Sequence, residues 1–250
     1  MTKLKSKPEV SVVIPAYNEA TYIDRLLEAL HRQIDVDFEV IVADADSGDG
    51  TDKVIESFAD KMDVKLLVTP PKGPADARNK GAHKAKGEWI LFLDADDDLP
   101  DVNFVRTLVD VSKQKGWQTS SAKVRHADAN IFENIGSRLN YHYVKLLAHT
   151  KHPVAAGWCI LTKRAVFEEY NGFNEKIQFG EDYDYVSRVG HLGFGFVDET
   201  YYFVDLRRPR AEGVKFVLKG IGNEIYRHTH RYNLEKNPIE YKFGQHQKRK

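Results

Sequence analysis

The sequence predicts an α/β fold: a mostly parallel sheet covered by helices. Three observations carry this expectation. Short apolar runs rich in β-branched residues recur through the first hundred positions. Amphipathic helical stripes alternate with them. Three of the runs end in polar segments, two of which are rich in carboxylates.

Residues 10–14 are nearly all β-branched, as in a strand buried on both faces, and Pro15 is expected to end it. Ile23, Leu26, Leu27 and Leu30 then form one stripe of a helix over 21–30. Strands follow at 38–43, 64–68 and 89–93, with helices at 51–58 and 76–84 between them. Beyond Pro100 the alternation weakens. Helices are predicted at 102–115, 132–149, 164–170 and 182–191, and strands at 118–124, 158–161, 194–197 and 201–204. Asp98 or Asp101 is expected to cap the helix that begins near 102. With no repeat or linker, the 250 residues read as a single domain in three stretches: about 8–100, about 101–205 and a basic C-terminal extension at 206–250.

Lys+Arg and Asp+Glu are equal at 37 each, so nothing global points to nucleic acid. The basic residues gather late, from Arg207 to Lys248, Arg249 and Lys250. A solvated end and peripheral contact with phosphate or a membrane surface are both open there. The single cysteine, Cys159, lies in an apolar run and reads as a buried thiol, which suits a reducing compartment. No stretch approaches ~18 consecutive apolar residues. Met1 to Lys7 leads straight into the first strand without a longer apolar run. The expectation is a cytoplasmic protein, soluble or peripheral at a membrane.

In open α/β sheets, ligands bind outside the carboxyl ends of the strands. Those ends carry Pro15-Ala16-Tyr17-Asn18-Glu19, Asp44 to Thr51, and Asp94-Ala95-Asp96-Asp97-Asp98. Asp94 and Asp96 follow the apolar run Trp89 to Leu93, and carboxylates crowded in a dry cleft repel unless a cation joins them. Mg²⁺ or Mn²⁺ would use one or two such carboxylates together with substrate phosphates. Haloacid dehalogenase-type phosphatases also place Asp-x-Asp after a buried strand, but there the motif usually opens the domain. Here it follows the fourth strand and runs on into Asp97 and Asp98.

Four segments taken together resemble family 2 glycosyltransferases of the GT-A fold. They are Val10 to Glu19; Val42 to Thr51; Ala77-Arg78-Asn79-Lys80-Gly81 running through to Asp97; and Gly172-Phe173-Asn174-Glu175 with Glu181-Asp182-Tyr183-Asp184. The resemblance spans roughly residues 10 to 190, and its specificity lies in all four segments occurring in order. It implies a Rossmann-like, mostly parallel sheet flanked by helices, with a smaller C-terminal acceptor-side region of sheet and helix.

It also implies roles for individual residues. Pro15, Ala16, Tyr17 and Glu19 would line the base and ribose, and Asp44 or Asp46 would approach the base. Ala45 stands where many members carry a second Asp, which removes base recognition by that residue. Arg78 would meet the donor's phosphate or sugar, with a surface salt bridge as the alternative. Asp94 would touch ribose or metal, and Asp96 the metal and diphosphate. Asp182 would be the catalytic base, with Glu181 in reserve, and a single base gives inversion at the anomeric carbon. Trp158 would stack on a sugar or pack in the core. His228 and His230 are left outside the metal set.

The expected partners are a nucleotide-diphosphate sugar and a glycan, lipid-linked or small-molecule acceptor. A metal-dependent phosphatase or nucleotidyltransferase, and a non-catalytic nucleotide-sugar-binding module, are the alternatives.

Overall fold

The computed structural model describes residues 7–239. The start of the chain before Lys7 and the closing Lys248, Arg249 and Lys250 lie outside them.

The first half alternates as expected: β1 (Val10–Ala16), α1 (Ile23–His31), β2 (Phe38–Asp44), α2 (Thr51–Glu56), β3 (Val64–Val68), α3 (Pro74–Ala82) and β4 (Trp89–Leu93). The second half comprises α4 (Phe104–Lys115), β5 (Thr119–Arg125), α5 (Ile131–Leu147), β6 (Cys159–Lys163), α6 (Arg164–Glu169), α7 (Glu181–Val189), β7 (Phe194–Phe203), α8 (Arg207–Glu212) and α9 (Val214–Thr229). All seven strands form one sheet in the order β3-β2-β1-β4-β6-β5-β7. Only β6 is antiparallel to its neighbours. The other six strands therefore deliver their carboxyl ends to one edge, and β6 starts at that same edge.

The apolar runs become strands because both faces of the sheet are covered. Along β1, Val12 and Ile14 join the core beneath α1 and α4, while Val13 joins the core beneath α3, α6 and α7. Along β4, Leu91 and Leu93 face the first core, and Ile90 and Phe92 the second. Close approach shapes the second layer. A Cβ at Gly81 of α3 would lie 2.5 Å from Val13 Cγ1, and one at Gly87 would lie 2.6 Å from the backbone nitrogen of Ser11.

Three expectations are corrected. Pro15 does not end the first strand: β1 runs on to Ala16, with Pro15 opposite Ala43. The β4 pairing stops at Val13–Phe92, so the missing N–H of Pro15 breaks no bond on that side. The two late strands are one strand, β7, and an irregularity after Ala122 of β5 absorbs the extra residues. The C-terminal strands β5, β6 and β7 lie on one side of the same sheet. Neither Asp98 nor Asp101 caps α4. Asn103 holds that position, Asp98 bridges to Phe203, and the Asp101 carboxylate accepts the Asn103 N–H and the Thr200 hydroxyl.

Gly87→Ala should lower stability by about 1–3 kcal/mol, because backbone rather than a movable side chain blocks the added methyl. Gly136→Ala, in the exposed part of α5 with open space around it, should raise stability by about 0.5–1 kcal/mol. Urea unfolding of both variants measures the contrast.

Candidate active site

The strand exits meet around a cavity of about 830 Å³. Its floor includes Pro15, Tyr17 and Glu19 after β1, Arg78 on α3, and Asp94 and Asp96 after β4. A second wall carries Gly157 and Trp158, just before β6, and Glu181 and Asp182 at the start of α7. The one reversed strand thus brings its amino end to the edge where the others finish.

Arg78 joins the two walls. It is 3% exposed, and its Nη2 donates to Asp94 Oδ1 at 2.7 Å while Nη1 donates to Glu181 Oε1 at 2.8 Å. The surface salt bridge left open by sequence is therefore a buried one. The Phe173 ring lies 5.5 Å from its guanidinium carbon. Gly157 allows this arrangement, since a Cβ there would sit 2.6 Å from Arg78 Nη2. Its N–H also donates to Asp182 Oδ2 at 2.6 Å, and the Tyr183 N–H holds Oδ1 at 2.8 Å. The two acids at the start of α7 consequently differ: Glu181 is buried against the arginine, whereas Asp182 is only partly buried.

Burial pushes the carboxyls of both Glu181 and Asp182 upward, against the pull of Arg78. The loop leading into α7 is pinned to α3 by Asn79, which donates to Phe173 O and Glu175 Oε1 and accepts the Phe173 N–H.

A second arginine, Arg207 at the start of α8, reaches the same cavity. Its Nη2 lies 2.9 Å from Glu19 Oε2 and 3.1 Å from Asp96 Oδ2, and its guanidinium stacks 3.9 Å from the Tyr22 ring centre. Burial raises Glu19 to about 7 despite Arg207, with neighbouring Asp96 adding to the rise, and burial raises Asp96 to about 6. Sequence reasoning placed Arg207 in a basic extension and missed it. Its signal is position: it lies four residues past the end of a strand that shares the common direction.

Ala16, Asp44 and Asp46 are not among the cavity-lining residues. Asp44 is 2% exposed and accepts the backbone and hydroxyl of Ser47, whose Oγ in turn accepts the Asn18 N–H at 2.6 Å. Asp49 receives Ala20 N–H and the Thr51 hydroxyl. These side chains fasten the exit of β2 to the exit of β1. Asp97 also turns inward: fully buried, it accepts the Asp94 N–H at 2.8 Å, and burial holds its carboxyl well above the usual range. Trp158 is half-buried, lines the cavity and packs against the core. Cys159 is fully buried, with its thiol pushed up by burial. Neither His228 nor His230 lines the cavity.

No group of three or more His, Cys, Asp or Glu arranged for a metal occurs among the described residues. An all-protein cage is thus not built here. The pair Asp94 and Asp96, both on the cavity, does fit the other mode, in which one or two carboxylates share the ion with substrate phosphates.

The fold is an open α/β sheet whose carboxyl edge, where such folds bind ligands, opens on paired acids and arginines. Residues 11–171 match the family model described as glycosyl transferase family 2, and the chain belongs to that family. It is 32% identical over 189 residues to a chondroitin synthase of Pasteurella multocida, covering 74% of this chain and 19% of that protein. The chain therefore spans about a fifth of that relative's length. It is 28% identical to the amylovoran biosynthesis glycosyltransferase AmsB of Erwinia amylovora, covering 93% of this chain and 84% of that protein. The fold is similar to that of the mannosyltransferase PcManGT from Pyrobaculum calidifontis, solved with GDP-Man and Mn²⁺. The TM-score is 0.73 at 21% identity, over 91% of this chain and 64% of that one.

Arg78→Met should cost about 3–5 kcal/mol, because it strands a buried Glu181 and unpairs Asp94. The loss should be larger at about pH 8 than at about pH 5, where Glu181 can take up a proton. Denaturant unfolding at both pH values reads this. In the unaltered protein, Glu19 binds its proton more tightly folded than unfolded. The stability this gives is complete below about 4.5 and is lost as pH rises through about 7. The melting temperature of the ligand-free protein should therefore fall between about pH 5 and 7.5, and Glu19→Gln should flatten the slope.

Proposed function

We propose that this chain transfers a sugar from a nucleoside-diphosphate sugar to an acceptor hydroxyl, with inversion at the anomeric carbon and Asp182 as base. The observation that carries the reading is the geometry of the two walls. Asp182 is held by two backbone N–H groups, and Arg78 ties its helix to the Asp94 strand exit across the cavity. Family membership, the names of the relatives and the nucleotide sugar in PcManGT support the donor class and a glycan acceptor.

The proposed division of labour follows the sheet. Residues 8–100 supply the donor side, and 101–205 the acceptor side. The described part of 206–250 is not a loose tail but two helices that line the cavity. Glu19 and Tyr17 face the nucleoside, and the guanidinium of Arg207 lies where diphosphate charge would gather. Mg²⁺ or Mn²⁺ held by Asp94 and Asp96 would neutralise charge on the departing diphosphate.

Asp182 is preferred over Glu181 because Glu181 already accepts from Arg78 and is buried. Burial raises both carboxyls, so what separates them is that Glu181 is taken up by Arg78. The acceptor oxygen forms its bond to the anomeric carbon while the bond from that carbon to the diphosphate oxygen breaks. The hydroxyl proton passes to Asp182, and the nucleoside diphosphate leaves from the opposite face. A phosphatase would need Asp94 as nucleophile, and the Arg78 bond to its Oδ1 speaks against that role.

Asp182→Asn should reduce transfer by about 10²–10⁴-fold and leave donor binding intact. Asp96→Ala should abolish the metal-dependent part of donor binding. Thermal shifts with nucleoside diphosphates and their sugars, in Mn²⁺ or EDTA, separate the two effects. Wild-type rates in Asp182→Asn would remove it as the base, and the absence of a shift with every nucleotide would remove the donor site.

A further inference from the structure

Eleven of the fourteen large hydrophobic side chains exposed among the described residues lie on two helices, α5 and α9. On α5, Ile131, Ile135, Leu139, Tyr143 and Leu146 recur every three or four residues, beside Phe132 at 82% exposure. That spacing gathers them on one face. The buried residues of the helix, Tyr141 and Val144, lie on the other. On α9, Val214, Val217, Leu218, Ile221 and Ile225 repeat the pattern. The two helices flank the cavity and are linked at one point, where the Tyr143 hydroxyl donates to Glu224; Arg210 of α8 pairs with Glu133. Ordinary soluble surfaces scatter their exposed apolar groups; apolar stripes gathered on two helices beside one cavity mark a docking surface.

Charge and position identify the occupant. The only acids on the two helices are Glu133 and Glu224, and both are held in ion pairs, with Arg210 and Arg227. Arg138, Lys151, Lys215 and Arg231, on these helices or just beyond their ends, are exposed and have no ion-pair partner among the described residues. The face is thus apolar with a net positive border. A second copy meeting it about a two-fold axis would set like charges together. A lipid surface with anionic headgroups complements both features.

With 17 and 16 residues, α5 and α9 fall short of the ~20 needed to span a bilayer. No helix of the described residues is long and apolar enough to cross a membrane. Helices of this kind lie in the headgroup layer with their apolar face down. The face is also continuous with the cavity, because Val217, Ile221 and Ile225 line it while remaining exposed.

We infer that α5 and α9 form a docking face for an anionic lipid surface, which sets one side of the cavity against the headgroups. This is independent of the proposed sugar transfer, since none of Arg78, Asp94, Asp96 and Asp182 lies on α5 or α9.

The test is co-sedimentation with vesicles of phosphatidylcholine alone and of phosphatidylcholine mixed with phosphatidylglycerol, at low and high salt. The wild-type chain should pellet with the mixed vesicles, and weakly with phosphatidylcholine or at high salt. The triple variant Phe132→Glu, Leu139→Glu, Leu218→Glu should lose pelleting while keeping its melting temperature and nucleotide response, because those side chains point to solvent and do not line the cavity. Arg138→Ala with Lys215→Ala should lose the preference for phosphatidylglycerol. A wild-type protein that stays in the supernatant with every vesicle overturns the inference. So does a triple variant that still pellets, or a solution dimer that the triple variant dissociates.

Discussion

The site depends on a single buried cation. Arg78 stands on the third helix, one guanidinium nitrogen on Asp94 and another on Glu181. A buried guanidinium is tolerable only with such partners, and a bidentate fork fixes direction as well as charge. Because its two acids come from the end of β4 and the start of α7, the bond sets the distance between the two walls. The close fit of Gly157 against Arg78 leaves no room for a side chain there, and the same glycine's N–H orients Asp182. Strain or loss at any one of these positions reaches the others.

Around that cation, the acids divide by what surrounds them. Asp97 is enclosed and serves the turn that presents Asp94. Asp44 and Asp49 fasten neighbouring strand exits. Asp94, Asp96, Glu19 and Asp182 remain on the cavity, where two arginines counter part of their mutual repulsion. Arg207 already occupies a carboxylate oxygen of Asp96, at 3.1 Å, so that acid is not free in the ligand-free site. The helix that carries Arg207 leads directly into α9, linking the acidic floor to the exposed apolar face.

The strand order of the first half was legible because apolar runs and helical stripes alternate without exception up to Leu93. The acids Asp94, Asp96, Glu181 and Asp182 were legible as motifs. Arg207 was not, because a basic cluster late in a chain reads the same whether it is solvated or folded back. Pro15 misled for a related reason: proline breaks a strand only where its N–H would be needed, and that depends on how far β4 reaches. The bulged β7 read as two strands because its exposed middle, Asp198 and Glu199, interrupts the apolar pattern.

Local physics therefore determined the strands and helices up to Leu93 and the segments that carry the carboxylate motifs, since periodicity and residue type are properties of neighbours in the chain. Tertiary structure alone decided which carboxylates face the cavity, which are buried as fasteners, and that Arg78 meets Glu181, 103 positions away. It also decided that the stripes of α5 and α9 are exposed. An amphipathic pattern specifies a face, and only the surrounding fold determines whether that face is covered.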